Sequence, residues 1–174
     1  MDLFEAIGKR HSYRGPFTDA PVPRDHLRRI VQAGMQAPSA KNEQVVSFVI
    51  LDDPQVLEQV KQIIDRPASQ TAQAMIVCVT DPRPTLGEIS FAAEDCAACV
   101  ENMLLAITAL GYATVWLDGV LRFEGKAERI GRLLGVPQPK HVRVVLPLGV
   151  PAEAGVQKEK LPFDRRAWFN RYGG

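Results

Sequence analysis

The stretch ISFAAEDCAACVENMLLAITAL, residues 89–110, limits what this chain can fold into more than any other segment does. Read at 3.6 residues per turn it is apolar almost all the way round, and Gly111 follows it as a residue suited to a helix C-cap. A helix of that kind belongs in the centre of a fold, with other elements packed around it, rather than on a surface with one face in water. A membrane span is not expected, because nowhere does the chain reach the ~18 uninterrupted apolar residues that one requires.

The elements around it alternate. DLFEAIGKR (2–10) begins with acids and ends with bases, the order a helix dipole favours, and sets Leu3, Phe4 and Ile7 on one face. PRDHLRRIVQAGMQAPSA (23–40) predicts a second helix, opened by Pro23, with Leu27, Ile30, Val31 and Met35 at helical spacing and Pro38 closing it. VVSFVIL (45–51) and AMIVCVT (74–80) read as buried strands, with the amphipathic helix DPQVLEQVKQIID (53–65) between them. YATVWL (112–117) and HVRVVLPLGV (141–150) predict further strands, separated by the helix EGKAERIGRLLG (124–135). Buried strands alternating with helices predict an α+β or α/β sandwich around one mixed sheet. The tail from Pro151 onward is polar, and its large anchors are Phe163, Trp168, Phe169 and Tyr172, which need a surface elsewhere.

Length and charge narrow the function. The chain has 174 residues, enough for one domain or a domain with an arm, and a formal net charge of +1. It therefore carries no overall field for nucleic acid or an acidic membrane, and neither is expected as a partner. The first residues carry acids and lack a long apolar core, so no signal peptide is expected. The three cysteines, Cys78, Cys96 and Cys99, suit reduced thiols, and the expected location is the cytoplasm.

Against this neutral background, KRHSYRGPF (9–17) concentrates Lys9, Arg10, His11 and Arg14. In an extended segment Arg10, Ser12 and Arg14 share a side, so two guanidiniums and a hydroxyl meet where a phosphate or a polarised ring edge would fit. Alone, the cluster reads equally as a solvated helix end. APSAKNEQ (37–44) offers Ser39 and Asn42 in a turn just before a strand, as caps or as ligands to a uracil-like edge. WLDG (116–119) ends a strand at Asp118 and Gly119, either as an ordinary turn or as a place where a flat ligand approaches backbone. Lys158 and Lys160 alternate in an extended tail, within reach of an anion or of water. Cys96-Ala-Ala-Cys99 has metal-like spacing but sits inside an apolar helix, and His11, His26 and His141 are scattered, so no metal is expected. The chain contains neither GxGxxG nor GxxxxGK[ST].

Taken in order, these pieces resemble the nitroreductase family of FMN-dependent enzymes. RHSYR has the form Arg-x-Ser-x-Arg, then come APSAKNEQ, the central helix running into GYATVW, LPLGVP and a Lys-x-Lys tail. The resemblance implies an α+β sandwich, a central mixed β-sheet flanked by helices, in an intertwined homodimer with FMN at the subunit interface. It implies a domain over 1–160 and a C-terminal arm over 161–174 packing on the partner. Arg10 and Lys160 would hold the phosphate with Lys158 nearby, Ser12 would join the phosphate or ribityl chain, and His11 and Leu117 would border the cofactor. Arg14 would stabilise charge at the pyrimidine edge, Asn42 would bond the ring, and backbone at Asp118 and Gly119 would lie near the nitrogen that receives hydride. Pro38 and Ser39 would come from the other subunit. NADH or NADPH would reduce the flavin, and a small-molecule electron acceptor such as a nitroaromatic or quinone would reoxidise it by ping-pong, with no obligatory catalytic side chain. A flavin-binding redox sensor, or a specialised dehalogenase or dehydrogenase, are the alternatives within the same fold, and a thiol or metal switch at Cys96 and Cys99 is a third.

Departures from the family pattern fall on Glu101, where Gln is frequent, on Tyr112, where a small apolar residue is common, and on Val45 and Val46, in place of Pro-Trp. The segment 81–92, which caps the substrate in larger members, is short.

Overall fold

In the computed structural model, which describes residues 1–173, two antiparallel strands form the spine. These are β2 (Ala74–Thr80) and β4 (His141–Gly149), flanked by β1 (Val46–Leu51) and β3 (Ala113–Thr114) in the order β1-β2-β4-β3. β2 is buried along its whole length, so its residues are apolar without alternation: both faces of the sheet are covered. Met75, Val77 and Val79 point into one layer with Leu57, Val60, Ile64 and Ile130, from α3 (Pro54–Ile64) and α6 (Lys126–Leu133). Ala74, Ile76 and Cys78 point into the other with Leu27, Ile30, Cys96, Val100, Met103 and Ile107, from α2 (Arg24–Met35) and α5 (Ala92–Ala109). The result is an α+β sandwich of three layers. Every ladder in it is antiparallel, and the parallel character of the sheet rests on one bridge, Ser12 to Thr114.

The predicted strand 112–117 is cut to two residues for a reason visible in its partner. Ala113 pairs with Gly149 and Thr114 with Leu148, and Leu117 rejoins the same register at Val145 through two backbone bonds. Between them Val115 faces Pro147, which has no N–H to complete the exchange, so the ladder breaks. The Pro147 carbonyl instead accepts from Thr114 Oγ1 at 2.7 Å.

The predicted all-round burial of the long helix is met on one side only. Cys96, Val100, Met103 and Ile107 are buried, whereas Glu94, Ala97, Glu101 and Ala109 are exposed on the chain by itself. α2 crosses it closely because Gly34 leaves room: a Cβ there would stand 2.8 Å from Met103 Cγ. The predicted thiols all lie in this core.

α1 (Leu3–Lys9) is capped by Asp2, which accepts from the Glu5 amide, and carries a Glu5–Lys9 pair at 2.6 Å. It buries only Ala6, so Leu3, Phe4 and Ile7 form an exposed apolar face. A short helix the sequence did not signal, α4 (Pro67–Gln70), precedes β2. Beyond β4 the chain turns back: Ala152 N bonds Pro16 O, Glu153 N bonds the Tyr13 hydroxyl, and Gln157 Nε2 bonds the Ile7 and Arg10 carbonyls. Among the tail aromatics Phe163, Phe169 and Tyr172 stay exposed, with Phe163 against Phe169 and Trp168 against Tyr172. Among the described residues no helix is long and apolar enough to cross a membrane.

Candidate functional site

After α1 the chain becomes extended at Arg10 and pairs with β3 at Ser12, where Tyr13 N donates to Thr114 O at 2.8 Å. Side chains then alternate. Tyr13 turns inward, 4% exposed, with its hydroxyl on Pro16 O at 2.6 Å, while Ser12 and Arg14 turn outward. Returning alongside, the tail closes a cavity of about 260 Å³ lined by Arg10, His11, Ser12, Arg14, Val156, Gln157, Lys158 and Lys160. Two regions separated by nearly the whole chain thus put four cations and a hydroxyl round one space.

Its charges are mostly unanswered. Arg10 Nε lies 3.6 Å from Glu101 on α5, while among the described residues Arg14, Lys158 and Lys160 pair with no carboxylate. His11 Nδ1 stands 3.0 Å from the Lys9 carbonyl, which can only accept, so Nδ1 donates to it. The ring's Nε2 is buried with no partner among the described residues, and the ring is covered by Gly155, where a Cβ would overlap the imidazole.

Arg14 also borders a second cavity, of about 410 Å³, with Arg66, Pro67, Ala68, Trp116, Leu117, Asp118, Gly119 and Val120. The Asp118 carboxylate is drawn away into a forked pair with Arg122, at 2.8 and 2.7 Å, with Arg143 at 3.9 Å. Arg122 first, and Arg143 after it, hold the carboxyl below the usual range. The backbone amides of Asp118 and Gly119 donate to no acceptor among the described residues, as expected of the first N–H groups of a helical turn. A Cβ at Gly119 would meet nothing within 4 Å, so the backbone there faces open space.

The remaining candidates lie apart from both. Ser39 lines a third cavity, about 350 Å³, with Val31, Met35, Gln44, Phe48, Asp95 and Cys99 among its walls, while Pro38 and Asn42 are exposed beside it. Their turn is unusual, with Lys41, Asn42 and Gln44 all at positive φ of 50–57°. Neighbours pin it there: Ala40 N donates to the buried Asp95 at 3.0 Å, Gln44 N to Ser39 Oγ at 3.2 Å, and Arg83 bonds the Glu43 carbonyl and pairs with its carboxylate.

Sequence reasoning missed Arg66 and Asp95. Arg66 carried no signal, since it precedes a four-residue helix that no periodicity announces. Asp95 could have been found as an acid on the inner face of an apolar helix, which requires a partner.

The fold is thus an α+β sandwich with a cation-lined rim next to an open strand end. The Nitroreductase family model matches residues 7–78 and 65–150, and the chain belongs to that family. A protein of Methanothermobacter thermautotrophicus, provisionally named an NADH dehydrogenase/NAD(P)H nitroreductase, is 34% identical over 155 residues, 88% of this chain and 79% of the relative. A solved structure of the same provisional name from Parabacteroides distasonis shares the fold with a TM-score of 0.85, at 24% identity over 98% of each chain. The NADPH:FMN oxidoreductase of Vibrio harveyi, solved with NAD+, has a TM-score of 0.82 and 26% identity over 98% of this chain and 77% of its own.

Proposed function

We propose that this protein is an FMN-dependent oxidoreductase that uses NADH or NADPH and acts as a homodimer. The observation that carries the reading is the convergence of residues 10–14 with 158–160 on one cavity that adjoins, through Arg14, the cavity at Trp116–Gly119. The donor set fits the cofactor. A phosphate dianion suits Arg10, Lys158, Lys160 and the Ser12 hydroxyl, and a planar ring suits the space over Gly119. Bound there, FMN would supply the hydride and electron-transfer chemistry between the reduced nucleotide and a small organic acceptor such as a nitroaromatic or quinone, in ping-pong order.

The chain's own residues then position and polarise. Arg10 and the tail lysines fix the anionic end, and Gln157 fixes the Arg10 backbone. Arg14, with Arg66 across the same cavity, supplies positive field where negative charge develops on the ring. The uncommitted amides of Asp118 and Gly119 are donors for a ring nitrogen. Ser39 lines a different cavity and neither Pro38 nor Asn42 lines these two, so in this reading a second copy would supply them. The exposed apolar face of α1 and the arm 161–174, with its unburied aromatics, supply the surface for that second copy.

The test is the visible spectrum of the purified protein before and after anaerobic NADH, then NADPH. Flavin bands that bleach are the expected result. A flavin left oxidised by both nucleotides removes the reductant and favours a redox sensor, and a colourless protein that refuses added FMN removes the reading altogether.

A further inference from the structure

One of the cations lining the cationic cavity has a counter-charge beside it, from a residue outside the lining. Arg10 is the one cation of the four that has a carboxylate within 4.0 Å among the described residues, and that carboxylate is Glu101. The two come from different elements: Arg10 ends α1, while Glu101 projects from the exposed side of α5. The contact is a single Nε to Oε1 approach of 3.6 Å, not a fork, and the Glu101 side chain is half exposed. It is a loose pairing, weak in itself, that leaves the outer guanidinium nitrogens of Arg10 uncommitted. The Arg10 backbone, by contrast, is fixed through its carbonyl by Gln157 at 2.7 Å. The choice of partner for its guanidinium is therefore made by charge rather than by the path of the chain.

We infer that Glu101 is a specificity-determining residue for the cofactor: it competes with the phosphate for Arg10 and so sets how far FMN is preferred over its phosphate-free form, riboflavin. The inference rests on the flavin reading above. A phosphate held by Arg10, Lys158 and Lys160 would share the Arg10 guanidinium with the Glu101 carboxylate, and like charges drawn to one cation repel. Glu101 must move aside or lower the affinity; in either case phosphate binding is weaker than the four cations alone would make it. Among the described residues no carboxylate lines the cavity, and Glu101, beside Arg10, relieves part of the mutual repulsion of those cations. Gln at this position keeps the side chain's length and shape, removes the charge and replaces one acceptor oxygen by an NH2 donor. Riboflavin offers no charge at that end, so its binding is indifferent to the change.

The experiment compares full-length wild type, Glu101→Gln and Glu94→Gln by flavin fluorescence during titration with FMN and with riboflavin. Glu94 lies on the exposed side of the same helix and pairs with no cation among the described residues, so it controls for net charge. The expected result is an FMN Kd about three- to tenfold lower in Glu101→Gln, shrinking as salt is raised, with riboflavin and Glu94→Gln within about twofold of wild type. An FMN Kd that is unchanged or higher in Glu101→Gln overturns the inference while leaving the flavin reading intact. An equal gain for riboflavin overturns it too, because the effect is then not at the phosphate. A wild type that binds neither flavin overturns the reading and the inference together.

Discussion

The inner side of α5 and the rim at Arg10 are built on opposite terms. On the inner side Cys96, Val100, Met103 and Ile107 are at most 1% exposed and pack on β2 and β4, and the buried Asp95 meets the Ala40 amide through one of its two oxygens. Burial pushes the Cys99 thiol up to about 11, and a hydrogen bond with Cys96, reinforced by burial, raises Cys78, so these two thiols stay neutral and inert at ordinary pH. At the rim one cation of four meets a loose carboxylate, and a buried histidine nitrogen has no partner among the described residues. One region is held together by apolar packing within the chain. The other is complete only when something anionic arrives, and a cluster in that condition is a better pointer to function than a Cys-x-x-Cys spacing that the core has absorbed.

The contrast has measurable edges. Met103→Ala should cost about 2–5 kcal/mol of unfolding free energy in denaturant, through the cavity left against Gly34, while the folded fraction keeps its flavin affinity. A loss under about 1 kcal/mol would mean the layers can collapse onto the gap. Arg10→Ala should do the reverse, weakening FMN by about 1.5–3 kcal/mol with stability moved by no more than about 0.5 kcal/mol; an unchanged FMN affinity would remove the rim's assigned role. Next comes pH. The Cys99 thiol binds its proton more tightly folded than unfolded, so its stabilising contribution holds below about pH 9 and is lost as pH rises toward about 11. Cys99→Ala should flatten urea-derived stability across that window by up to about 2 kcal/mol, and an identical slope in the variant would show the thiol is not buried as described. Smallest is Arg14→Ala, expected to lower the flavin midpoint potential by on the order of 20–30 mV, read by redox titration. A potential that does not move would confine the rim's action to the phosphate end.

Much of this was legible from residue patterns. Unbroken apolar runs gave β2, β4 and the two-sided sheet, because only doubly covered strands read without alternation. The Arg-x-Ser-x-Arg alternation placed Arg10, Ser12 and Arg14 on the outward side because Tyr13 between them is the one that packs. What escaped depended on partners distant in sequence. Pro147 ends β3 from across the sheet, and nothing in YATVWL announces it. The pairing of Arg10 with Glu101 needs the angle at which α1 meets α5. Arg66 enters the cavity only because α4 turns the chain toward Trp116. Exposure of one side of α5 was hidden for another reason: composition records that a surface is apolar, not whether this chain or a second copy covers it.

The two bonds from Gln157 to the carbonyls of Ile7 and Arg10 join positions 150 and 147 residues apart. Synthesis runs from one of these ends to the other, so the first half of the rim is made early and waits for the second. At roughly 5–20 residues per second the interval is on the order of 7–30 s, during which both faces of the sheet are being filled. The rim is therefore among the last features to exist on a new molecule. A product cut short after β4 would possess the core without the tail lysines, and loading with an anionic ligand would distinguish finished chains from unfinished ones.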